Sequence, residues 1–155
     1  MAAVQLAGWR AAFPGIVPNE LEPTAEHLIE RLRAHSADPS RSRVVAELDG
    51  APVGFCAFGP SRDADGAGVG EIHALFVDPP SWRRKAGTAL VARALHELRT
   101  RGFDEVTLWS FAQGARANAF YERCGFSRDG GEQSVPELGH APEVRLRRSL
   151  ASPPR

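Results

Sequence analysis

The sequence predicts an α/β (α+β) domain, a mixed central sheet with helices on both faces. Two observations carry this. Residues 71–77 are β-branched and aromatic, 88–101 carry apolar residues at helical spacing, and 105–111 read as a strand again. Such a strand–helix–strand unit crosses over right-handed and sets its strands parallel. Around it lie a hairpin signal, Asp49-Gly50 between two apolar runs, and an alternating run at 143–150, both antiparallel material. At 155 residues the chain has room for one domain with a proper core, placed at 1–150, with 151–155 as a disordered tail.

In order, residues 3–13 read as a helix stopped by Pro14-Gly15, with Leu6, Trp9, Arg10 and Phe13 on neighbouring positions. A second helix starts near Pro23-Thr24 and turns Leu28, Ile29 and Leu32 inward. Strands follow at 43–48 and 51–58. The glycines at 66, 68 and 70 are spaced GxGxG and precede a strand, so they do not match the dinucleotide fingerprint GxGxxG, which opens a helix. Residues 59–70 read as a flexible connection. The helix at 88–101 ends on Gly102-Phe103, and a helix at 115–124 ends on Gly125-Phe126, the same capping device. Residues 127–142 read as loop with one short strand near 133–135, which Pro136 confines to a sheet edge.

The organising stretch is residues 71–91. The strand stops at Asp78-Pro79-Pro80, where two prolines forbid further pairing. Ser81-Trp82-Arg83-Arg84-Lys85-Ala86-Gly87 then leads into the helix. Three cations stand where a helix exposes its first unpaired N–H groups, an arrangement that favours an anion and reads as a phosphate cradle.

Composition excludes several classes. Lys+Arg 19 balances Asp+Glu 19, which counts against nucleic acid as a partner. No apolar run approaches the ~20 residues that span a bilayer, so no membrane role is expected, and with no signal peptide the expected location is cytoplasmic. Cys56 and Cys124 form no CxxC pair and read as small buried side chains. No His/Cys/Asp cluster has metal-ligand spacing, so no metal is expected.

Val77-Asp78-Pro79, the basic glycine-bearing turn, Ala89-Leu90-Val91 on a helix, and Ala119-Phe-Tyr-Glu-Arg-Cys-Gly-Phe126 together resemble the GNAT N-acetyltransferase superfamily over residues 43–126. The resemblance implies a splayed pair of parallel strands, acetyl-CoA as co-substrate, and an amine acceptor. It also implies that Leu75, Phe76 and Val77 pair with the pantetheine arm, and that Arg83, Arg84, Lys85, Ala86, Gly87 and Thr88 hold the pyrophosphate. Three departures accompany it. In the frame fixed by Val77-Asp78-Pro79 and Ala89-Leu90, Lys85 stands at the first glycine position of the turn, where it needs negative φ or bears strain. The family asparagine seven residues before the tyrosine is Gly114, with Asn118 nearby but off register. The strand that usually precedes the first helix is absent or truncated.

Acetyl transfer to an amine needs a base for the amine proton, donors for the developing oxyanion, and an acid for the departing thiolate. Tyr121 is the expected acid, with a phenol pKa of ~10. Glu71 is the expected base and His73, with an unperturbed pKa of ~6.5, the second candidate. Glu71, His73, Leu75 and Val77 share a strand face unless a bulge intervenes. Two function classes follow: an N-acetyltransferase acting on a small-molecule or peptide amine, and a non-catalytic acyl-CoA-binding module of the same fold. Either is compatible with a homodimer.

Overall fold

Asp49 and Gly50 both take positive φ, 52° and 78°, the pairing of a two-residue hairpin turn. They join β1 (Ser42–Leu48) to β2 (Ala51–Pro60). The structure, a computed structural model, describes residues 1–151. The tail expected at 152–155 lies outside the described residues. The remaining elements are α1 (Ala2–Ala12), α2 (Ala25–Ala37), β3 (Gly70–Val77), α3 (Ala86–Thr100), β4 (Glu105–Phe111), α4 (Ala115–Arg123), β5 (Ser127–Val135) and β6 (Ala141–Ser149).

The six strands lie in the order β1-β2-β3-β4-β6-β5, antiparallel except for the β3–β4 pair. On one face the apolar stripe of α3 (Leu90, Val91, Ala94, Leu95, Leu98) meets Cys56, Phe58, Ile72, Val106, Leu108 and Leu146, with Phe120 and Tyr121 of α4 at its rim. Burying each large aliphatic side chain there is worth about 1.5–3 kcal/mol. On the other face α1 and α2 cover the sheet, and Trp9 and Phe13 pack against Phe111 and Val17. No helix among the described residues is long and apolar enough to cross a membrane.

Four expectations are corrected. Thr24 caps α2 by accepting from the His27 N–H at 3.2 Å, and Leu28 is fully buried, but Ile29, one position round the helix, is 40% exposed. Residues 127–135 form a full edge strand where a loop with a short strand was expected. Its side chains are mostly exposed and a bulge interrupts it between Arg128 and Glu132, so no alternation marks it. Ion pairs hold it instead: Asp129 accepts from Arg145 at 2.8 Å and Arg147 at 3.1 Å. The connection at 61–69 is tied down rather than loose. Ser61 N–H donates to the Val69 carbonyl, and Arg145 binds Asp63 and Asp65 at 3.1 and 2.8 Å. Finally, Ala57 pairs with Ala74 and Phe58 with Ile72, which makes His73 the extra residue of a bulge. Leu75 and Val77 therefore pack toward α3, while Glu71 and His73 face Arg62 and α2.

Candidate active site

Strands β3 and β4 pair only through Gly70↔Val106, Glu71↔Thr107 and Ile72↔Leu108. Beyond Ile72 they diverge, and residues 73–77 face β4 without a ladder. This is the splayed parallel pair. It opens into a cleft of about 2060 Å³ lined from both faces of the sheet. Leu75, Phe76 and Val77 lie along its wall, with Gly87 and Thr88 at one end.

The basic turn reaches α3 through two left-handed residues, Arg83 at φ 68° and Lys85 at φ 64°. For side chains other than glycine this costs about 1–2 kcal/mol each. Lys85 is the N-cap of α3 and its side chain makes no capping bond. The strain expected at Lys85 is present, and Arg83 carries the same conformation. The turn presents successive backbone N–H groups at a helix N-terminus, with the cationic side chains 83–85 exposed around them. Gly87 is needed for space: a Cβ there would stand 3.2 Å from the Phe120 ring. Arg83 and Lys85 line the cleft, whereas Arg84 and Ala86 do not.

Trp82 was not singled out by the sequence. Its indole N–H donates to the Val77 carbonyl at 2.7 Å, and the Arg116 guanidinium of α4 stacks 3.8 Å over its ring. These contacts join the basic turn to the end of β3 and to α4.

Tyr121 lines the cleft from α4, between the rings of Phe120 and Phe126. Burial first, then the neighbouring Cys56 and Cys124, push its phenol well above the ordinary value, so it stays protonated at neutral pH. Its hydroxyl has no hydrogen-bond partner among the described residues and remains a free donor. The Cys56 thiol is itself pushed up to about 12 by burial, so it is no nucleophile.

Glu71 also lines the cleft but is fully buried and already partnered. Its carboxylate accepts from the Arg62 backbone N–H at 2.7 Å and from the Arg62 guanidinium at 3.1 and 2.5 Å. Both nitrogens of His73 are occupied. Nε2 faces the Pro60 carbonyl at 3.0 Å and so carries the proton, which leaves Nδ1 to accept from His35 Nε2 at 3.3 Å. Burial, then Arg62, hold the His73 pKa below its ordinary value. His73 is thereby a structural link between β3 and α2.

Gly114 is the N-cap of α4 and lines the cleft. Asn118 lies behind the lining. It is buried, and its Nδ2 donates to the Phe111 carbonyl at 3.1 Å, tying α4 to the end of β4. Sequence reasoning also missed Glu143. It stands on β6 opposite Phe111, lines the cleft, and accepts from Gln133 at 2.6 Å. Burial raises its carboxyl, opposed by the Gln133 bond. Its place among the alternating arginines of β6 was visible, but nothing local tells which face the cleft opens on. No cluster of metal-ligating side chains exists among the described residues.

The pattern of the acetyltransferase (GNAT) family matches residues 7–126, and the chain belongs to that family. Among relatives, a mycothiol acetyltransferase of Sanguibacter keddieii is 39% identical over 102 residues, 63% of this chain and 32% of that one. A probable N-acetyltransferase of Mycobacterium tuberculosis is 29% identical over 164 residues, 99% of this chain and 89% of that one. The chain spans only 20–37% of the length of the first curated relatives it matches. The fold is that of the PaiA N-acetyltransferase of Thermoplasma acidophilum, solved with coenzyme A. The TM-score is 0.76 at 18% identity, over 96% of this chain and 89% of that one.

Proposed function

We propose that the chain transfers the acetyl group of acetyl-CoA to a primary amine of a small molecule or peptide. The observation that carries this is the open β3–β4 wedge, with the α3 turn at one end and an unpartnered phenol, Tyr121, on its wall. The residues fit the co-substrate. The unladdered edge at Leu75, Phe76 and Val77 offers backbone partners to an amide-bearing arm. Arg83, Lys85, Gly87 and Thr88 offer N–H groups and positive charge to a pyrophosphate. Arg84 adds long-range charge only, and Ala86 starts the helix that presents those groups. Gly114 leaves room beside the wedge, and Asn118 positions α4 from behind.

When bound, acetyl-CoA supplies an activated acetyl group. Tyr121 holds a proton at Oη and gives it to the departing sulfur. Glu71 was the expected base, yet in this reading it holds Arg62, and an acceptor amine reaches its carboxylate only where the guanidinium gives way. The wedge excludes water on the α3 side through Phe120, Val77 and Leu75.

The test is thiol release from acetyl-CoA with a panel of primary amines. Tyr121→Phe keeps the ring and its packing and removes only the proton. It is expected to retain coenzyme A affinity by calorimetry and to lose about 10²–10⁴ in turnover. Coenzyme A binding with no thiol release for any amine would favour a non-catalytic acyl-CoA-binding module. Parental turnover in Tyr121→Phe would remove the acid from the mechanism.

A further inference from the structure

We infer that Glu143, not Glu71, receives the acceptor's ammonium group and takes its proton, and that the acceptor is a primary amine on a flat apolar body, of the arylalkylamine class. This rests on the acetyl-transfer reading and adds the acceptor half of the same site.

The level of the two carboxylates in the wedge is the first observation. Glu71 is the register partner of Thr107, inside the closed part of the β3–β4 pair. Glu143 is the partner of Phe111, the last residue of β4. Along β4, Phe111 lies four residues beyond Thr107, about 13 Å of strand toward the open part, although the Glu143 carboxyl still feels the charges of Glu71 and Arg62.

Partnering is the second. The Glu71 carboxylate is neutralised by the Arg62 guanidinium and takes a third bond from the Arg62 backbone. The Arg62 guanidinium stands on this carboxylate where an acceptor's ammonium would have to stand. Among the described residues Glu143 has one neutral hydrogen-bond partner, Gln133 on Oε2, and none on Oε1; Arg62 acts on it by charge without a bond. Desolvation of the half-buried carboxyl strengthens it as a base.

The wall beside Glu143 is the third. Trp9 meets Phe13 edge to face at 4.8 Å, and Phe13 meets Phe111 the same way at 4.8 Å. All three line the cleft with Glu143. Glu137 also lines the cleft but is exposed, so the half-buried Glu143 is the carboxylate to which the aromatic surface leads, and that surface suits a flat apolar body ending in a cation.

The proton count closes. The ammonium nitrogen loses two protons as its bond to the acetyl carbon forms and the carbon–sulfur bond breaks. One passes to Glu143 and on to water. The other returns, through water, to Tyr121, replacing the one given to sulfur.

The experiment titrates 2-phenylethylamine, 2-phenylethanol and spermidine into the coenzyme A-saturated protein by calorimetry, and follows thiol release from acetyl-CoA. Parent, Glu143→Gln and Glu71→Gln are compared, with coenzyme A affinity as the folding control. Expected are a loss of about tenfold or more in phenylethylamine affinity for Glu143→Gln, since a charge-assisted bond is removed. The affinity for phenylethanol should be unchanged, that of Glu71→Gln for the amine close to the parent's, and turnover of Glu143→Gln down by about 10²–10⁴. Loss of amine binding in Glu71→Gln but not in Glu143→Gln overturns the assignment. A parent that binds spermidine but not phenylethylamine, or neither, overturns the acceptor class. Parental amine binding that depends on Glu143, with no thiol released, leaves the recognition standing and sinks the acetyl-transfer reading.

Discussion

The two ends of the β3–β4 pair are built to opposite rules. At the closed end, residues 70–72, the backbone is laddered on both sides and the main charges are paired, with Thr107 Oγ1 the buried polar atom that has no partner there among the described residues. Glu71 is held by Arg62, and Arg145 gathers Asp63, Asp65 and Asp129 into one network. At the open end, residues 73–77, the ladder to β4 is missing. There, among the described residues, the Tyr121 hydroxyl has no hydrogen-bond partner and Glu143 is bonded only by an amide, while Arg83 and Lys85 stand in left-handed backbone. Polar groups satisfied by the protein stabilise the fold, and those left unsatisfied are available to a ligand. The bulge at His73 separates the two regimes, because it turns the strand faces over between Glu71 and Leu75.

The largest effect expected from breaking this contrast is at the closed end. Arg62→Ala removes two guanidinium bonds from a fully buried carboxylate and leaves its charge uncompensated. The expected cost is about 3 kcal/mol, the lower part of the range for broken buried pairs, because the Arg62 side chain is itself 46% exposed. Chemical denaturation measures it. A cost under about 0.5 kcal/mol would mean that Glu71 is solvated and free, and would return it to contention as the base.

At the open end the expected effect is on binding. Gly87→Asp sets a Cβ within 3.2 Å of Phe120 and adds a negative charge where the pyrophosphate is proposed to sit. Coenzyme A affinity should fall about tenfold or more by calorimetry. Gly87→Ala isolates the steric part, so the difference between the two variants reports the charge. Equal affinity in parent and Gly87→Asp would locate the anion site elsewhere.

The same contrast explains what could be read from the sequence. The hairpin at Asp49-Gly50, the strand–helix–strand unit and the Gly102 and Gly125 caps are local, and both glycines take the positive φ that their motifs require. The splay was legible only through the family resemblance, since no residue in 73–77 announces a missing ladder. What stayed hidden depends on distant partners. Strand β5 is held by Asp129 with Arg145 and Arg147, 16 and 18 residues away. The Arg62–Glu71 pair converts an apparent solvated glutamate into a buried ion pair. A bulge leaves the alternation of apolar residues intact on either side of itself, so the face of Glu71 relative to Leu75 could not be read. Glu143 sits beside arginines that serve the closed end, and only the sheet order brings it to the open one.

The smallest effect sharpens the comparison most, because it separates backbone from charge in the turn. Lys85 holds φ 64° without a capping bond. Glycine adopts that conformation freely, so Lys85→Gly relieves about 1 kcal/mol or more of strain and returns part of it to the freer unfolded chain. The net gain should be about 0.5–1 kcal/mol, a rise of about 1–4 °C in Tm for a chain of this length. Lys85→Ala keeps the strain and loses the same charge, so it should gain nothing. If the backbone N–H groups hold the pyrophosphate, both variants should bind coenzyme A within about fivefold of the parent, since an exposed cation is worth at most about 1 kcal/mol. A much larger loss shared by both variants would make the Lys85 ammonium the main anion ligand. A loss confined to Lys85→Gly would show that the left-handed lysine holds the turn in its binding geometry, and that the strain there is a working part of the open end.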